Sequence, residues 1–215
     1  LVDEYGINYI KMDYNVDCLA GCNNNFESLG NGLLMHNRCY LQWIDDIQKL
    51  HKDLIIEACA SGGMRLDYGT LSKHAIGNTS DQIYYNRIPY IVSNLSASML
   101  PEQTGVWCYP RAEDNEEQVI MNMVNSMLFR IQLSGQIESL SERLQQIIKE
   151  GLKIYNSLKD FKKQAVPYLP LGMCRFFDET VAFGLRKDNK LILCVYNLKG
   201  NRKKIIPISN LKPSK

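Results

Sequence analysis

The chain has few of the residues and patterns that mark several large functional classes. Its three histidines, His36, His51 and His74, show no metal-ligand spacing, and no Cys-x-x-Cys pair is present, so a zinc site is not expected. No apolar run approaches the ~18 residues that a membrane-spanning helix requires. A net charge of +2 is too small to indicate binding to nucleic acid. We therefore expect no metal, no membrane and no nucleic acid among the partners.

The seven cysteines are odd in number and scattered along the sequence: Cys18, Cys22, Cys39, Cys59, Cys108, Cys174 and Cys194. In a chain of 215 residues this arrangement is typical of free thiols in a reducing compartment, which favours a cytoplasmic location. The chain begins with Leu1 and enters an apolar run almost at once, so we interpret it as a fragment. Secretion stays open, because a missing N-terminus would hide a signal peptide.

Apolar runs and stretches of helical spacing alternate along most of the chain. Strands are predicted at residues 7–12, 54–59, 75–79, 106–109 and 130–133, and helices at 33–51, 66–73, 84–95, 114–128 and 139–161. Asp114 with Glu117, and Ser139 with Glu142, form capping-box patterns at two helix starts. Such alternation predicts a parallel sheet with right-handed crossovers.

The character of the sequence changes after residues 167–170, where two prolines break the helical pattern. Short β-rich runs at 180–185, 190–196 and 204–208 are separated by turn-like residues and predict an antiparallel region. Three strands are too few for a stable sandwich.

Acids and amides stand where the predicted parallel strands end. Lys11, Asp13 and Asn15 close the first strand, and Asp81 follows the third. In a (β/α) barrel the catalytic groups lie at the C-terminal ends of the strands, and a pair of carboxylates is the minimum apparatus for glycoside hydrolysis. The pattern therefore indicates a sugar-cleaving barrel.

The same residues carry a family resemblance. The ordered set Lys11-x-Asp13-x-Asn15, Glu57-x-Cys59-x-x-Gly62-Gly63-x-Arg65-x-Asp67 and Thr79-Ser80-Asp81 resembles the α-galactosidases of glycoside hydrolase family 36. This resemblance covers roughly the first three quarters of the chain. It implies an α/β fold: the C-terminal half of a (β/α)8 TIM barrel over residues 1–166, then the start of an antiparallel β-sandwich over 167–215.

The resemblance also implies roles for individual residues. Asp13 would be the nucleophile and Asp81 the general acid/base, while four residues would bind the substrate: Lys11, Asn15, Cys59 and Gly62. Trp107 is a candidate sugar platform on its aromatic character alone, since aromatic faces pack on the C–H faces of sugars. No metal or organic cofactor is implied.

Each site residue also has a structural alternative. Lys11 and Asp13 could be an ordinary ion pair, and Asp81 could cap the following helix. Trp107 could be a core residue, and we expect Trp43 to be one. We interpret Arg65 and Asp67 as structural, with a salt bridge near the pocket rim.

Two departures from the family pattern concern the pocket. Met12 replaces the usual Trp between Lys11 and Asp13 and should change packing only. On the leaving-group side, Asn78 replaces the usual Trp, and residues 82–85, Gln-Ile-Tyr-Tyr, replace a more acidic stretch.

The expected function of the full-length protein is a retaining exo-glycosidase acting on terminal α-linked galactose. Alternatives are an α-N-acetylgalactosaminidase, a galactosyl-transferring relative, a catalytically dead sugar-binding barrel, or a barrel whose acids hold Mg²⁺. A homo-oligomer of the full-length protein is left open. We expect the chain by itself to be inactive and poorly soluble, because a half barrel leaves sheet edges unpaired.

Overall fold

The computed structural model describes residues 1–16, 21–22, 27–200 and 203–209. The chain divides into two compact units, Leu1–Asn78 and Thr79–Lys215. The predicted domain boundary at residues 166/167 stays a prediction.

The first unit contains three parallel strands in the order β1-β2-β3. Its elements are α1 (Val2–Tyr5), β1 (Tyr9–Asp13), α2 (Leu29–Leu50), β2 (Ile55–Cys59), α3 (Tyr68–Leu71) and β3 (Ile76–Asn78). In the β1–β2 register Lys11 lies opposite Glu57, and Asp13 lies opposite Cys59. The C-terminal ends of β1 and β2 therefore meet at one edge of the sheet.

Helix α2 packs on the face of these strands that carries Ile10, Met12 and Ile56. The Ser28 side chain caps it by accepting a hydrogen bond from the Asn31 N–H, and Ile44 packs in a core with Leu54 and Ile56. Trp43 was expected in this core, but its side chain is 49% exposed. Consecutive helical residues point about 100° apart, so with Ile44 fully buried its neighbour faces outward.

The second unit combines a parallel pair, β4 with β5, and an antiparallel sheet in the order β6-β7-β8. Its elements are α4 (Ile88–Leu95), β4 (Thr104–Cys108), α5 (Glu116–Met127), β5 (Arg130–Leu133), a 3-10 turn (Ile137–Ser139), α6 (Glu142–Ser157), α7 (Lys159–Lys162), β6 (Val166–Tyr168), β7 (Thr180–Lys187) and β8 (Lys190–Asn197). One core joins both parts: Phe129, just before β5, stacks on Phe183 of β7 at 5.5 Å between ring centroids.

The predicted α/β fold class is confirmed: parallel βα units come first and an antiparallel sheet follows. The predicted strand at 204–208 is wrong, since that segment has no strand conformation. The third strand is Val166–Tyr168 instead, and it contains Pro167. Proline is tolerated there because β6 lies at the edge of its sheet, where a missing N–H breaks no ladder.

Both capping-box predictions placed the helix start on the wrong residue. The box of α5 is Asn115 with Gln118, each side chain bonding the other residue's backbone. Asp114 instead accepts a hydrogen bond from the Arg111 N–H within the preceding turn. Helix α6 is capped by Ser141, and the predicted Ser139 lies in the 3-10 turn before it.

Six of the seven cysteines lie in the described part of the chain, and all six are free thiols; Cys18 falls outside it. Over the same residues, no helix combines the length and apolar character needed to cross a bilayer.

Candidate active site

The residues predicted at the end of β1 form a polar cluster with the end of β2. Lys11 and Asp13 are two positions apart on β1, so their side chains leave the same face of the sheet. Cys59 lies beside Asp13 on β2, and Asn15 and Ser61 follow the two strand ends. The structure thus brings together Lys11, Asp13, Asn15 and Cys59, and a fifth predicted site residue, Gly62, joins them through a backbone hydrogen bond to Cys59.

The surroundings of Asp13 favour its ionised form. Hydrogen bonds from the side chains of Asn15 and Cys59 lower the pKa of the Asp13 carboxyl below its ordinary value, against an opposing effect of desolvation. The Lys11 ammonium and the Ser61 N–H lower this pKa further. A carboxylate that is exposed and ionised at neutral pH has the properties of a nucleophile.

Asn15 is held in place through its own side-chain oxygen. The Asn15 Oδ1 accepts hydrogen bonds from the Ser61 backbone N–H at 2.5 Å and the Ser61 hydroxyl at 3.2 Å. With the oxygen engaged in this way, the NH2 group of Asn15 is the part that donates to Asp13. The amide therefore orients the carboxylate as well as lowering its pKa.

Cys59 is a buried thiol that stays protonated. Burial raises the pKa of the Cys59 thiol, which outweighs the lowering by a hydrogen bond from the Gly62 backbone. The Asn78 side chain, fully buried, donates to the Cys59 Sγ at 3.6 Å. Cys59 is therefore a hydrogen-bond donor to Asp13 and not a second nucleophile.

The turn after β2 has an unusual backbone. Ser61 and Gly62 both have positive φ values, 44° and 79°. Glycine adopts this conformation freely, but it is strained for serine, and such strain is concentrated at functional sites. The turn is what brings the Ser61 N–H and hydroxyl to Asn15 and the Gly62 backbone to Cys59.

Arg65 and Asp67 are structural, although they do not form the predicted salt bridge with each other. The Arg65 guanidinium lies over the Tyr14 ring at 4.0 Å and donates to the Val16 carbonyl at 2.9 Å. Asp67 caps α3 by accepting from the Thr70 N–H at 3.0 Å. Desolvation raises the pKa of Asp67, but the hydrogen bonds from Thr70 and from the Asp67 and Gly69 backbone together outweigh it, and the net pKa is lowered.

Asp81 belongs to the second unit and is exposed. The segment before it is anchored by Thr79, whose N–H and hydroxyl both donate to the Gly105 carbonyl of β4, at 3.2 and 2.8 Å. Helix α4 begins at Ile88 with Arg87 as its N-cap residue, so Asp81 does not cap that helix. The structural alternative for Asp81 is therefore wrong.

Trp107 is half-buried on β4 and stacks on Tyr109, two residues further along, with ring centroids 6.0 Å apart. Beside Tyr109 lies a cavity of about 290 Å³ that is also lined by Ile83, Arg111 and Gln136. Tyr109 was not predicted from the sequence, although its spacing of two from Trp107 was the available signal. A pair of stacked aromatic rings is a larger platform than Trp107 alone.

Two further residues at the site were not given roles from the sequence. Asn78 was noted only as a departure from the family pattern, yet its amide holds the Cys59 thiol. Glu57 is 2% exposed and contacts Lys11. An acid within an otherwise apolar strand was the signal for Glu57.

No protein-family model matches the sequence, and no curated protein matches it. Solved structures do match in fold. The galactosidase domain of the α-galactosidase–sucrose kinase AgaSK superposes with a TM-score of 0.81 at 18% identity, covering 99% of this chain and 30% of that one. A variant of the family 36 α-galactosidase AgaA from Geobacillus stearothermophilus, in complex with raffinose, gives 0.79 at 16% identity, with 98% and 30% covered.

An α-galactosidase from Lactobacillus brevis also matches, with a TM-score of 0.76 at 16% identity, covering 99% of this chain and 30% of that one. The chain thus spans about 30% of the length of these three proteins. At identities this low the likeness establishes the fold. The raffinose complex belongs to AgaA, and a likeness in fold assigns no substrate to this chain.

Proposed function

We propose that the full-length protein containing this chain is a retaining glycosidase that removes terminal α-linked galactose. The carrying observation is Asp13, an exposed carboxylate kept ionised by Asn15 and Cys59 at the end of a parallel strand. The chain also shares its fold with α-galactosidases, one of which was solved with raffinose. The residues around Asp13 also fit the family 36 motif in order and spacing.

In the proposed mechanism Asp13 attacks the anomeric carbon while Asp81 protonates the departing oxygen. The α-glycosidic bond breaks, and a β-galactosyl ester forms on Asp13. Asp81, now a carboxylate, takes a proton from water, whose oxygen attacks the anomeric carbon and releases Asp13. Two inversions restore the α configuration. This mechanism requires the two carboxyl groups to be roughly 5 Å apart in the assembled enzyme.

The first test is the Asp13→Ala variant of the full-length protein with an aryl α-galactoside. Loss of the nucleophile should lower kcat by at least ~1000-fold, the scale seen when a covalent nucleophile is removed. Asp46→Ala is a matched control, because Asp46 is an exposed carboxylate paired with Lys49 on α2. Normal turnover by Asp13→Ala would reject the assignment.

Azide separates the two carboxylate roles. In Asp13→Ala, azide should attack the substrate directly and give β-galactosyl azide. In Asp81→Ala, azide should attack the galactosyl-enzyme and give α-galactosyl azide. The opposite stereochemistry, or no rescue of either variant, would contradict the proposed roles. Activity on an aryl α-N-acetylgalactosaminide that exceeds activity on the galactoside would change the proposed substrate.

A further inference from the structure

Glu57 is a carboxyl group inside the first unit for which the proposed mechanism has no use. It occupies the middle of β2, and its side chain is only 2% exposed. Burying a carboxylate costs several kcal/mol unless partners compensate for the lost water. Its contacts should therefore show what the group does.

Among the described residues, the partners of the Glu57 carboxyl come from the neighbouring strand β1. The Tyr9 hydroxyl donates to the Glu57 Oε2. The Lys11 Nζ lies 3.5 Å from the Oε1, and no residue in the described part of the chain makes a hydrogen bond to that oxygen. The Lys11 ammonium is thus the main compensation for the Oε1 charge.

The two ends of this ion pair differ in exposure. Lys11 is 36% exposed, whereas Glu57 is almost fully buried. Lys11 also lies two residues before Asp13 on the same face of β1, and its charge lowers the pKa of the Asp13 carboxyl. The buried carboxylate is therefore a fixed anchor, and the ammonium is the end that reaches the site.

We propose that Glu57 is a positioning residue that holds the Lys11 ammonium beside Asp13, where it acts on the nucleophile and the sugar. The inference rests on the proposed glycosidase function and adds a residue that acts through Lys11. A flexible lysine loses rotamer freedom when it is fixed. Because Glu57 holds Lys11 in the folded protein, this rotamer entropy is lost on folding and is not lost again when the substrate binds.

The test is a double-mutant cycle in the full-length protein with an aryl α-galactoside. Glu57→Gln keeps the shape of the side chain and removes its charge, and should lower kcat/KM by about tenfold to a hundredfold. In a Lys11→Ala background the same change should have almost no further effect, because Glu57 has nothing left to position. Glu102→Gln is the control, because Glu102 lies before β4, is part-buried, and has a carboxyl oxygen to which none of the described residues donates a hydrogen bond. This variant should leave kcat/KM unchanged.

Two outcomes overturn the inference while leaving the proposed function intact. One is an active wild type in which Glu57→Gln has normal kcat/KM. The other is a Glu57→Gln loss that adds in full to the Lys11→Ala loss, as a general folding defect would. If Glu57→Gln does not fold, Glu57→Asp keeps the charge and should give a smaller loss with the same lack of additivity.

A wild-type enzyme with no galactosidase activity would reject the proposed function, and the inference is then tested without activity. Crystal structures of wild type and Glu57→Gln should show the Lys11 Nζ beside Asp13 in the first and displaced or disordered in the second. An unchanged Lys11 position would overturn the positioning role.

Discussion

At the scale of single residues, the candidate site depends on amide and thiol groups as much as on charges. Asn15 is the largest influence on the Asp13 pKa, ahead of Cys59 and of the Lys11 charge. A hydrogen bond has a defined direction, so the Asn15 amide orients the carboxylate as well as lowering its pKa. Asn15 is thus the residue on which the state of Asp13 most depends.

Asn15→Ala should therefore move the pH profile. Loss of the amide raises the Asp13 pKa, so the acid limb of kcat/KM should shift to higher pH, with activity lost first at low pH. At the optimum, kcat/KM should fall by about tenfold to a hundredfold, the value of a hydrogen bond to a charged group. Steady-state rates from pH 4 to 9 measure both effects.

Gln42→Ala is the matched control for Asn15→Ala. The Gln42 amide donates to the Asp46 carboxylate at 2.9 Å on the exposed face of α2, so the same kind of bond is removed away from the cluster. Its profile should overlay that of wild type. An Asn15→Ala profile that also overlays wild type would show that the amide does not control Asp13.

At the scale of elements, helix starts are set by side chains that bond the first backbone N–H groups. In α5 this side chain is Asn115, not Asp114 as the sequence pattern predicted. Asn115→Ala should lower the free energy of unfolding by about 0.5–2 kcal/mol. Glu117→Ala, at the other residue of the wrongly predicted box, should change it by no more than about 0.5 kcal/mol.

Chemical denaturation of the two variants measures this difference. Equal losses, or a larger loss for Glu117→Ala, would show that the cap lies elsewhere.

The parallel strands of each unit, and the polar residues that follow β1 and β3, could be predicted from the sequence, because apolar runs and strand-end acids are local signals. The residue at which α5 begins could not be predicted, since Asp114 and Asn115 are both good N-cap residues. The turn at Arg111 decides between them, because Asp114 accepts the Arg111 N–H there. The edge strand at Val166–Tyr168 was missed because a proline usually argues against a strand. The Glu57–Lys11 pair was missed because it depends on the register between two strands.

At the scale of the whole molecule, buried ionisable groups link stability to pH. Lys162 on α7 is 4% exposed, with its ammonium donating to the Phe129 carbonyl at 2.8 Å and lying 3.7 Å from the Tyr155 ring centroid. Burial lowers the pKa of Lys162 to about 8. An unfolded lysine keeps its proton up to about pH 10.4.

The stability contributed by Lys162 should therefore rise with pH. Between about pH 8 and 10, Lys162 is protonated in the unfolded chain and largely neutral in the folded protein. Over this range the free energy of unfolding should therefore increase with pH, by up to about 1.4 kcal/mol per pH unit relative to Lys162→Met. Below pH 8 the difference between the two proteins should be constant. Denaturation of both proteins from pH 7 to 10 measures it, and a difference that is flat or falls with pH would contradict the burial of a charged lysine.

Covalent trapping tests the central claim, that Asp13 is the nucleophile of a retaining galactosidase, most directly. The full-length protein would be incubated with a fluorinated galactosyl fluoride, which forms the glycosyl-enzyme and releases it slowly, and then digested for peptide mass spectrometry. We predict one fluorogalactosyl group on the peptide that contains Asp13, with loss of activity in proportion to labelling. Labelling of a different carboxylate in an inactivated enzyme would contradict the account.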